Sequence, residues 1–298
     1  MNHIKLLIIK LSMLNPYIKL VRPTNWVKNI IITLPFILGK KFNTFDLSNL
    51  LLGAVSFSLM ASVGYIINDI RDIDKDRQHL FKKNRPLANG TAKVKVSFLM
   101  AIILFIFSVY FSYLINTSSL IVLISYFILN YFYSIKGKNI RFLDIMILST
   151  FYLIRVIYGG IIINVTLTGW FVATLAMIVF AISINKRFME LRISLQEKLP
   201  GRGYTKEDET ILHILMINFS IAALVFLNIH AYFVLHIQAY YFYCILNLIT
   251  PGIIFYYFDY SKSKSDDPVE KIIKNKGILL ITLIIMIMYY YEILIKLK

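Results

Sequence analysis

The fold class this sequence predicts is all-α: a polytopic membrane bundle of about nine transmembrane helices whose polar chemistry sits in cytoplasmic loops. Three observations predict it. The 298 residues are 58% apolar, with a mean hydropathy of +0.69. Apolar stretches long enough to cross a bilayer recur along the chain. The short alternating segments of an outer-membrane barrel do not occur. The formal charge of +16 fits the loop bias of a membrane protein and does not require nucleic acid. The one cysteine, Cys244, excludes an internal disulfide framework.

The elements follow in order. Residues 1–19 carry Ile4, Leu7, Ile8, Leu11 and Leu14 on one helical face, but Lys5 and Lys10 interrupt the apolar run. That pattern predicts an interfacial N-terminal helix and not a cleavable signal. The expected spans are Trp26–Leu38, Leu47–Ile67, Val94–Leu114, Leu120–Tyr133, Leu143–Ile163, Leu167–Ile184, Ile211–His230, Tyr240–Phe258 and Gly277–Ile295. The first and fourth are short. No repeat or soluble linker interrupts them, so residues 1–298 read as a single integral-membrane domain.

The loops set the orientation. Lys and Arg crowd after spans two, four, six and eight, whereas the loops around Asn116, Asn164 and Gln238 carry none. Lys40 and Lys41 alone break the alternation. The positive-inside rule then places the N-terminus and four basic loops in the cytoplasm and the C-terminus outside. The same four loops hold nearly every acidic residue, which places the active-site loops on that face.

The chemistry begins at Asn68-Asp69-Ile70-Arg71-Asp72-Ile73-Asp74-Lys75-Asp76-Arg77, directly after the second span. Four of the sixteen acidic residues sit in these ten positions. On a helix, Asn68, Asp72 and Asp76 fall at i, i+4 and i+8, with Asp69 one step round. Carboxylates so placed repel one another unless a cation fills the cluster. An Asp at mid-bilayer costs roughly 2.5–3.5 kcal/mol, so the arrangement suggests hard-cation ligands, most simply Mg²⁺ on a phosphorylated substrate. The next residues, Arg77 to Gly90, supply Lys82, Lys83 and Arg85 before a Pro-Gly turn. A metal–diphosphate site requires acids followed by cations in this way. For the lysines alone, an ordinary positive-inside loop explains as much.

These residues resemble the first Asp-rich motif of the UbiA superfamily of intramembrane prenyltransferases. The continuation is similar to that of one branch, the decaprenyl-phosphate phosphoribosyltransferases, at Asp76, Arg77, His79, Lys82, Arg85, Pro86 and Gly90, with Leu80 where proline is usual. Arg22-Pro23, Trp26, Lys28 and Asn29 resemble the branch's N-terminal signature. Tyr133, Ser134, Lys136 and Asp144 resemble its second polar motif. Arg155, Gly159 and Gly160 resemble its Arg–Gly-Gly helix, Lys186, Arg187, Glu190 and Leu191 its third basic loop, and Asp267 to Glu270 its last. The resemblance runs from about Arg22 to Gly277. It implies a Mg²⁺-dependent transferase with Asn68, Asp69, Asp72 and Asp76 as catalytic and metal-holding residues. The donor would be 5-phosphoribosyl 1-diphosphate, the acceptor a polyprenyl phosphate lipid and the location the cell membrane, with oligomeric state left open. Substrate contacts would come from Arg22, Lys28, Arg77, Lys82, Arg85, Tyr133, Lys136, Arg141, Asp144, Arg155, Lys186 and Arg187.

Several of these residues keep a second reading. Asp144 stands alone, with apolar Leu148 one turn on and Lys136, Lys138 and Arg141 nearby. It is either a ligand or a cap or ion-pair partner at a helix start. Lys136 and Arg141 are substrate cations or topogenic charge. Arg155, inside the fifth span, faces a cavity or pairs with Asp144, although eleven residues along a helix is about 16 Å. Arg22 and Lys28 suit a lipid headgroup, specific or not. Two rival functions predict different charge patterns. A transferase of prenyl chains from their diphosphates would need a second carboxylate pair around Asp144. A transporter would carry charge in both halves of the membrane.

Overall fold

The structure is a computed structural model. It describes residues 15–38, 44–78, 82–194, 196–199, 201–234, 236–237, 242–244 and 246–247, and positions 277, 280, 284, 287 and 291. Residues 1–14, His79, the Asp267–Glu270 segment and most of the expected eighth and ninth spans lie outside the described residues.

Among the described residues the regular structure is helical, without strands. After a helical turn at 15–21 the chain forms a 3₁₀ stretch, Pro23–Thr33, continued by α1, Leu34–Leu38. Then come α2, Thr44–Arg71, the short α3, Ile73–Arg77, α4, Val94–Ile115, and α5, Thr117–Ile135. The series ends with α6, Leu143–Ile162, α7, Gly169–Ile193, and α8, Asp208–Ile229. Six of them, α2 and α4 to α8, are long and apolar enough to cross a membrane. They coincide with the expected second to seventh spans. The expected first span is helical but tighter and shorter than a crossing helix.

The chain divides into two compact units. The first comprises Met1–Ile135 and Ile154–Thr166. Within it α2 packs on α4, α5 and the 3₁₀ stretch. Small polar residues bring the helices close, as membrane packing favours. Ser56 Oγ donates to the Ser108 carbonyl and Ser108 Oγ to that of Ser56, both at 2.7 Å. Tyr158 Oη, Ser112 and Ser119 form a second such seam. Gly159 is required by closeness: a Cβ there would lie 1.9 Å from the Ile32 carbonyl oxygen, so only glycine admits the 3₁₀ backbone. A core of Leu20, Val63, Ile66, Leu87 and Ala101 closes the acid-bearing end.

The second unit comprises Lys136–Leu153 and Leu167–Lys298. Here α7 packs along α8, around Ile145, Ile184, Phe188, Leu191, Leu199, Tyr204, Leu212 and Met216. The α7–α8 connection is knitted, not loose. Lys198 and Thr205 pair as an isolated bridge, and Leu199 N–H donates to the Tyr204 carbonyl at 2.9 Å.

Candidate functional site

In the first unit α2 ends at Arg71, Asp72 breaks the helix with φ −97° and ψ 10°, and α3 restarts at Ile73. The i→i+4 backbone bonds nevertheless continue across the break, from Asp72 N–H to the Asn68 carbonyl at 3.0 Å and from Asp76 N–H to that of Asp72 at 2.7 Å. Helical spacing is therefore kept, and residues 69, 72 and 76 (i, i+3, i+7) form one stripe. Asp69 and Asp76 are 2% and 4% exposed. Arg85 Nη1 donates to Asp69 Oδ1 at 3.0 Å and to Asp76 Oδ2 at 2.8 Å. Arg22 Nη2 donates to both oxygens of Asp69, at 2.6 and 2.8 Å.

Backbone conformation aims both arginines. Arg22 sits in the left-handed region at φ 53°, at the mouth of the 3₁₀ stretch. Arg85 precedes the turn that Gly90 closes at φ 78°. Arg77, at the end of α3, donates to the Ala88 carbonyl at 3.2 Å and to Asp74 at 3.2 Å, tying this turn to the acidic helix. Lys82 lies half-buried in the same segment and Lys28 half-buried in the 3₁₀ stretch; Asp72, on the acidic stripe, and Asn68, next to it, are half-buried.

The chemistry of Asp69 and Asp76 suits a hard cation completed by other ligands. Bonds to one shared nitrogen keep their oxygens within about 6 Å, against the roughly 4 Å that opposed ligands span around Mg²⁺. No three His, Cys, Asp or Glu side chains among the described residues form a closed metal cage. Two carboxylates completed by substrate phosphates are the usual Mg²⁺ arrangement.

Deeper in the same unit, Arg155 is 5% exposed. Its Nε donates to Asn29 Oδ1 at 2.8 Å, and its guanidinium lies 5.0 Å from the Phe57 ring centroid and 5.5 Å from that of Tyr126. Asn29 in turn donates to Ser58 at 2.8 Å, and Trp26 Nε1 to Ser62 at 3.0 Å. Trp26 and Asn29 thus pin the 3₁₀ stretch to α2, a role their spacing in the sequence gave no sign of.

The second unit holds a separate polar cluster. Asp144, in the first turn of α6, and Arg187 of α7 are both fully buried and paired. Arg187 also pairs with Glu190. Tyr204 donates to the other Asp144 oxygen and accepts the Phe142 N–H at 2.8 Å. Burial, then the Asp144 charge beside it, raises the Tyr204 phenol well above its ordinary value. Arg141, 46% exposed, pairs with Asp208 at 2.6 Å. Lys136 is exposed and Lys186 half-buried; Tyr133, near the end of α5 in the first unit, is half-buried. Asp144 is therefore an ion-pair partner of Arg187, and Arg155 bonds Asn29. Tyr204 was missed at sequence level, being one of 20 tyrosines with no periodic or charge signal to single it out.

Comparisons with known proteins agree with this architecture. The profile of the UbiA prenyltransferase family matches residues 29–291. Decaprenyl-phosphate phosphoribosyltransferase of Mycobacterium tuberculosis is 29% identical over 182 residues, covering 59% of this chain and 60% of that protein. Its counterpart in Mycolicibacterium smegmatis is 30% identical over 188 residues, covering 61% and 59%. The chain thus spans about three-fifths of the length of these relatives. A UbiA homologue from Archaeoglobus fulgidus, solved with DMAPP and Mg²⁺, superposes with a TM-score of 0.67 at 18% identity, over 93% of this chain and 97% of that one. A chain with six candidate spans among its described residues, matched by one family profile along most of its length, belongs to the UbiA prenyltransferase family and is a multi-pass membrane enzyme of it.

Proposed function

We propose that the chain, acting as one transferase domain, moves 5-phosphoribosyl from 5-phosphoribosyl 1-diphosphate to a polyprenyl phosphate at the cytoplasmic face of the cell membrane. The observation that carries this reading is the difference between the two polar clusters. Asp69 and Asp76 converge as an acidic pair able to take a metal-bound diphosphate. Among the described residues of the second unit, Asp144 and Glu190 are both locked to the fully buried Arg187, whereas the arginines on Asp69 and Asp76 are part-exposed and exchangeable. A donor with one diphosphate needs a single metal-bearing acidic pair, and its separate phosphate needs cations instead of a second pair of acids. The names of the relatives point the same way.

An acceptor phosphate oxygen forms the bond to ribose C1 while the bond from C1 to the diphosphate oxygen breaks, and the electron pair leaves with the diphosphate. The acceptor is already an anion, so no strong base is needed. Asp69 and Asp76, with Asn68 and Asp72 near them, would hold a Mg²⁺, which when bound would supply charge neutralisation for the leaving diphosphate. Arg22 and Arg85 lie on the same carboxylates and are placed to turn onto phosphate oxygens when donor arrives. Lys28, Arg77 and Lys82 add positive potential around them. Lys136, Arg141 and Lys186 supply cations for the 5-phosphate, and Tyr133 is a further candidate substrate contact. Arg155, clamped between rings and Asn29, offers a fixed charge inside the helices.

Prenyl transfer is the second reading, favoured by the prenyl diphosphate in the A. fulgidus homologue. One assay separates the two. Purified protein with Mg²⁺, a polyprenyl phosphate and an aromatic acceptor is given labelled phosphoribosyl diphosphate or a labelled prenyl diphosphate, and label is measured in the chromatographically separated products. Label taken only from the prenyl donor, into an aromatic or other polar acceptor, overturns the phosphoribosyl assignment.

A further inference from the structure

The α7–α8 connection bears on the second cluster more closely than its place in the sequence suggests. Tyr204 is fully buried, and its hydroxyl bridges two parts of the α5–α6 segment, the Phe142 amide and the Asp144 carboxylate. Phe142 stands at φ 64°, a conformation a bulky residue holds only when its surroundings enforce it. Next to Tyr204, Gly203 approaches the same segment backbone to backbone: a Cβ there would lie 2.7 Å from both Arg141 N and Asn139 O. On the far side Asp208 caps the Thr205 amide at 2.9 Å and pairs with Arg141. The connection therefore grips residues 139–144 at three points. Its own backbone is held by the Lys206 amide on the Glu197 carbonyl at 2.9 Å.

We propose that Tyr204 is a positioning residue for the donor site. By holding the Phe142 amide and Asp144 together it fixes the left-handed turn at Phe142, and so sets the direction in which Lys136 and Arg141 present charge to an anionic donor. Asp144 and Arg187, fully buried in each other, are the foundation of this turn, and they act on substrate only through it. This rests on the reading of the basic segment as part of the donor site. Tyr204 touches no substrate and moves no proton; its raised pKa keeps the phenol protonated as a donor throughout.

The test uses the full chain in detergent or nanodiscs, with the donor that the wild type is first shown to consume, phosphoribosyl diphosphate or a prenyl diphosphate. The choice of donor by the wild type judges the phosphoribosyl reading, and the variants judge this one. Tyr204→Phe keeps the ring and removes the bridge. It should raise the donor KM about tenfold, the worth of one good hydrogen bond at 1.4 kcal/mol per decade, with kcat and the acceptor KM within about twofold. Gly203→Ala, which keeps the phenol but pushes the connection away, should do the same. Adding Phe142→Gly to Tyr204→Phe, so that the left-handed turn no longer needs enforcing, should bring the donor KM back toward the wild-type value. In the wild type, hydrogen exchange should show the Phe142 amide protected. An unchanged donor KM in both single variants, an equal fall in kcat and rise in both KM values, or a fast-exchanging Phe142 amide would overturn the proposal.

Discussion

Replacing Arg85 by alanine should move two affinities in opposite directions. The guanidinium donates to Asp69 at 3.0 Å and Asp76 at 2.8 Å, with its side chain 25% exposed and the carboxylates almost fully buried. A divalent cation entering without donor must displace this charge from the oxygens it needs. Two charge-assisted bonds are worth about 1.5–3 kcal/mol each when fully made. The cation restores the lost attraction, and water screens the exposed part, so a net obstacle of about 1.5–2 kcal/mol is the reasonable figure. Arg85→Ala should then tighten donor-free Mn²⁺ binding by roughly ten- to thirtyfold, at 1.4 kcal/mol per decade. Electron paramagnetic resonance of free Mn²⁺ reads this without any turnover. The donor KM should rise by at least tenfold in the same variant, because the diphosphate loses a bidentate cation. Lys at position 85 should fall between the two, since its ammonium keeps the charge but cannot meet the diphosphate bidentately. Mn²⁺ binding that weakens or stays the same in Arg85→Ala would show that the guanidinium does not compete with metal, and the reasoning would fail.

Asp69→Asn and Asp72→Asn should each abolish Mg²⁺-dependent turnover while the protein remains folded in detergent; near-normal activity in both variants would remove the metal-site reading. Gly159→Ala should destabilise the fold by about 1–3 kcal/mol, because its Cβ meets the Ile32 backbone, whereas at Gly53 the added atom first meets only the Ile162 methyl terminus; SDS titration of the two variants should rank them in that order. For topology, in a Cys244→Ala background, cysteine at Lys83 should resist an impermeant thiol reagent in intact cells and cysteine at Thr117 should react. The folded pKa of Tyr204 lies above its ordinary 10.0, so the proton favours the folded state. That contribution is whole below about pH 10 and fades only as pH climbs toward the folded value. Difference absorbance titration of the wild type against Tyr204→Phe should show no phenolate from this residue before alkaline unfolding.

The acidic stripe was legible in the sequence because carboxylates are scarce and costly in an apolar chain, so four together stand out. Six of the crossing helices were legible for the complementary reason, that a long uncharged stretch has few other uses. What sequence could not convey is which partners close over long separations. Arg22 lies 47 residues from Asp69, and Arg187 lies 43 from Asp144; the sequence marks both as candidate substrate cations and gives no sign of these carboxylate partners. Among the described residues the first expected span runs as a 3₁₀ stretch followed by the short α1, and Trp26 and Asn29 pin it to α2, a tertiary contact that periodicity does not carry. Tyr204 and Gly203 act through shape and a single hydroxyl, properties no composition or periodicity carries.

The two clusters obey one electrostatic rule and come out with different uses. A buried carboxylate is expensive unless paired, and each buried acid described above has an arginine. What differs is whether the arginine can leave. Arg22 and Arg85 keep 24% and 25% of their side chains exposed, so water or an incoming phosphate can take them while a cation takes the acids. Arg187 has no exposed surface and two acidic partners. Releasing it would strand charges in the interior at a cost of several kcal/mol. The exchangeable pairs therefore suit the working end of an enzyme that must bind and release polyanions. The locked pair suits the scaffold that keeps the neighbouring basic segment in place. Substitution should tell them apart: losses at Arg22 and Arg85 belong in ligand affinity, and losses at Arg187 belong first in folding.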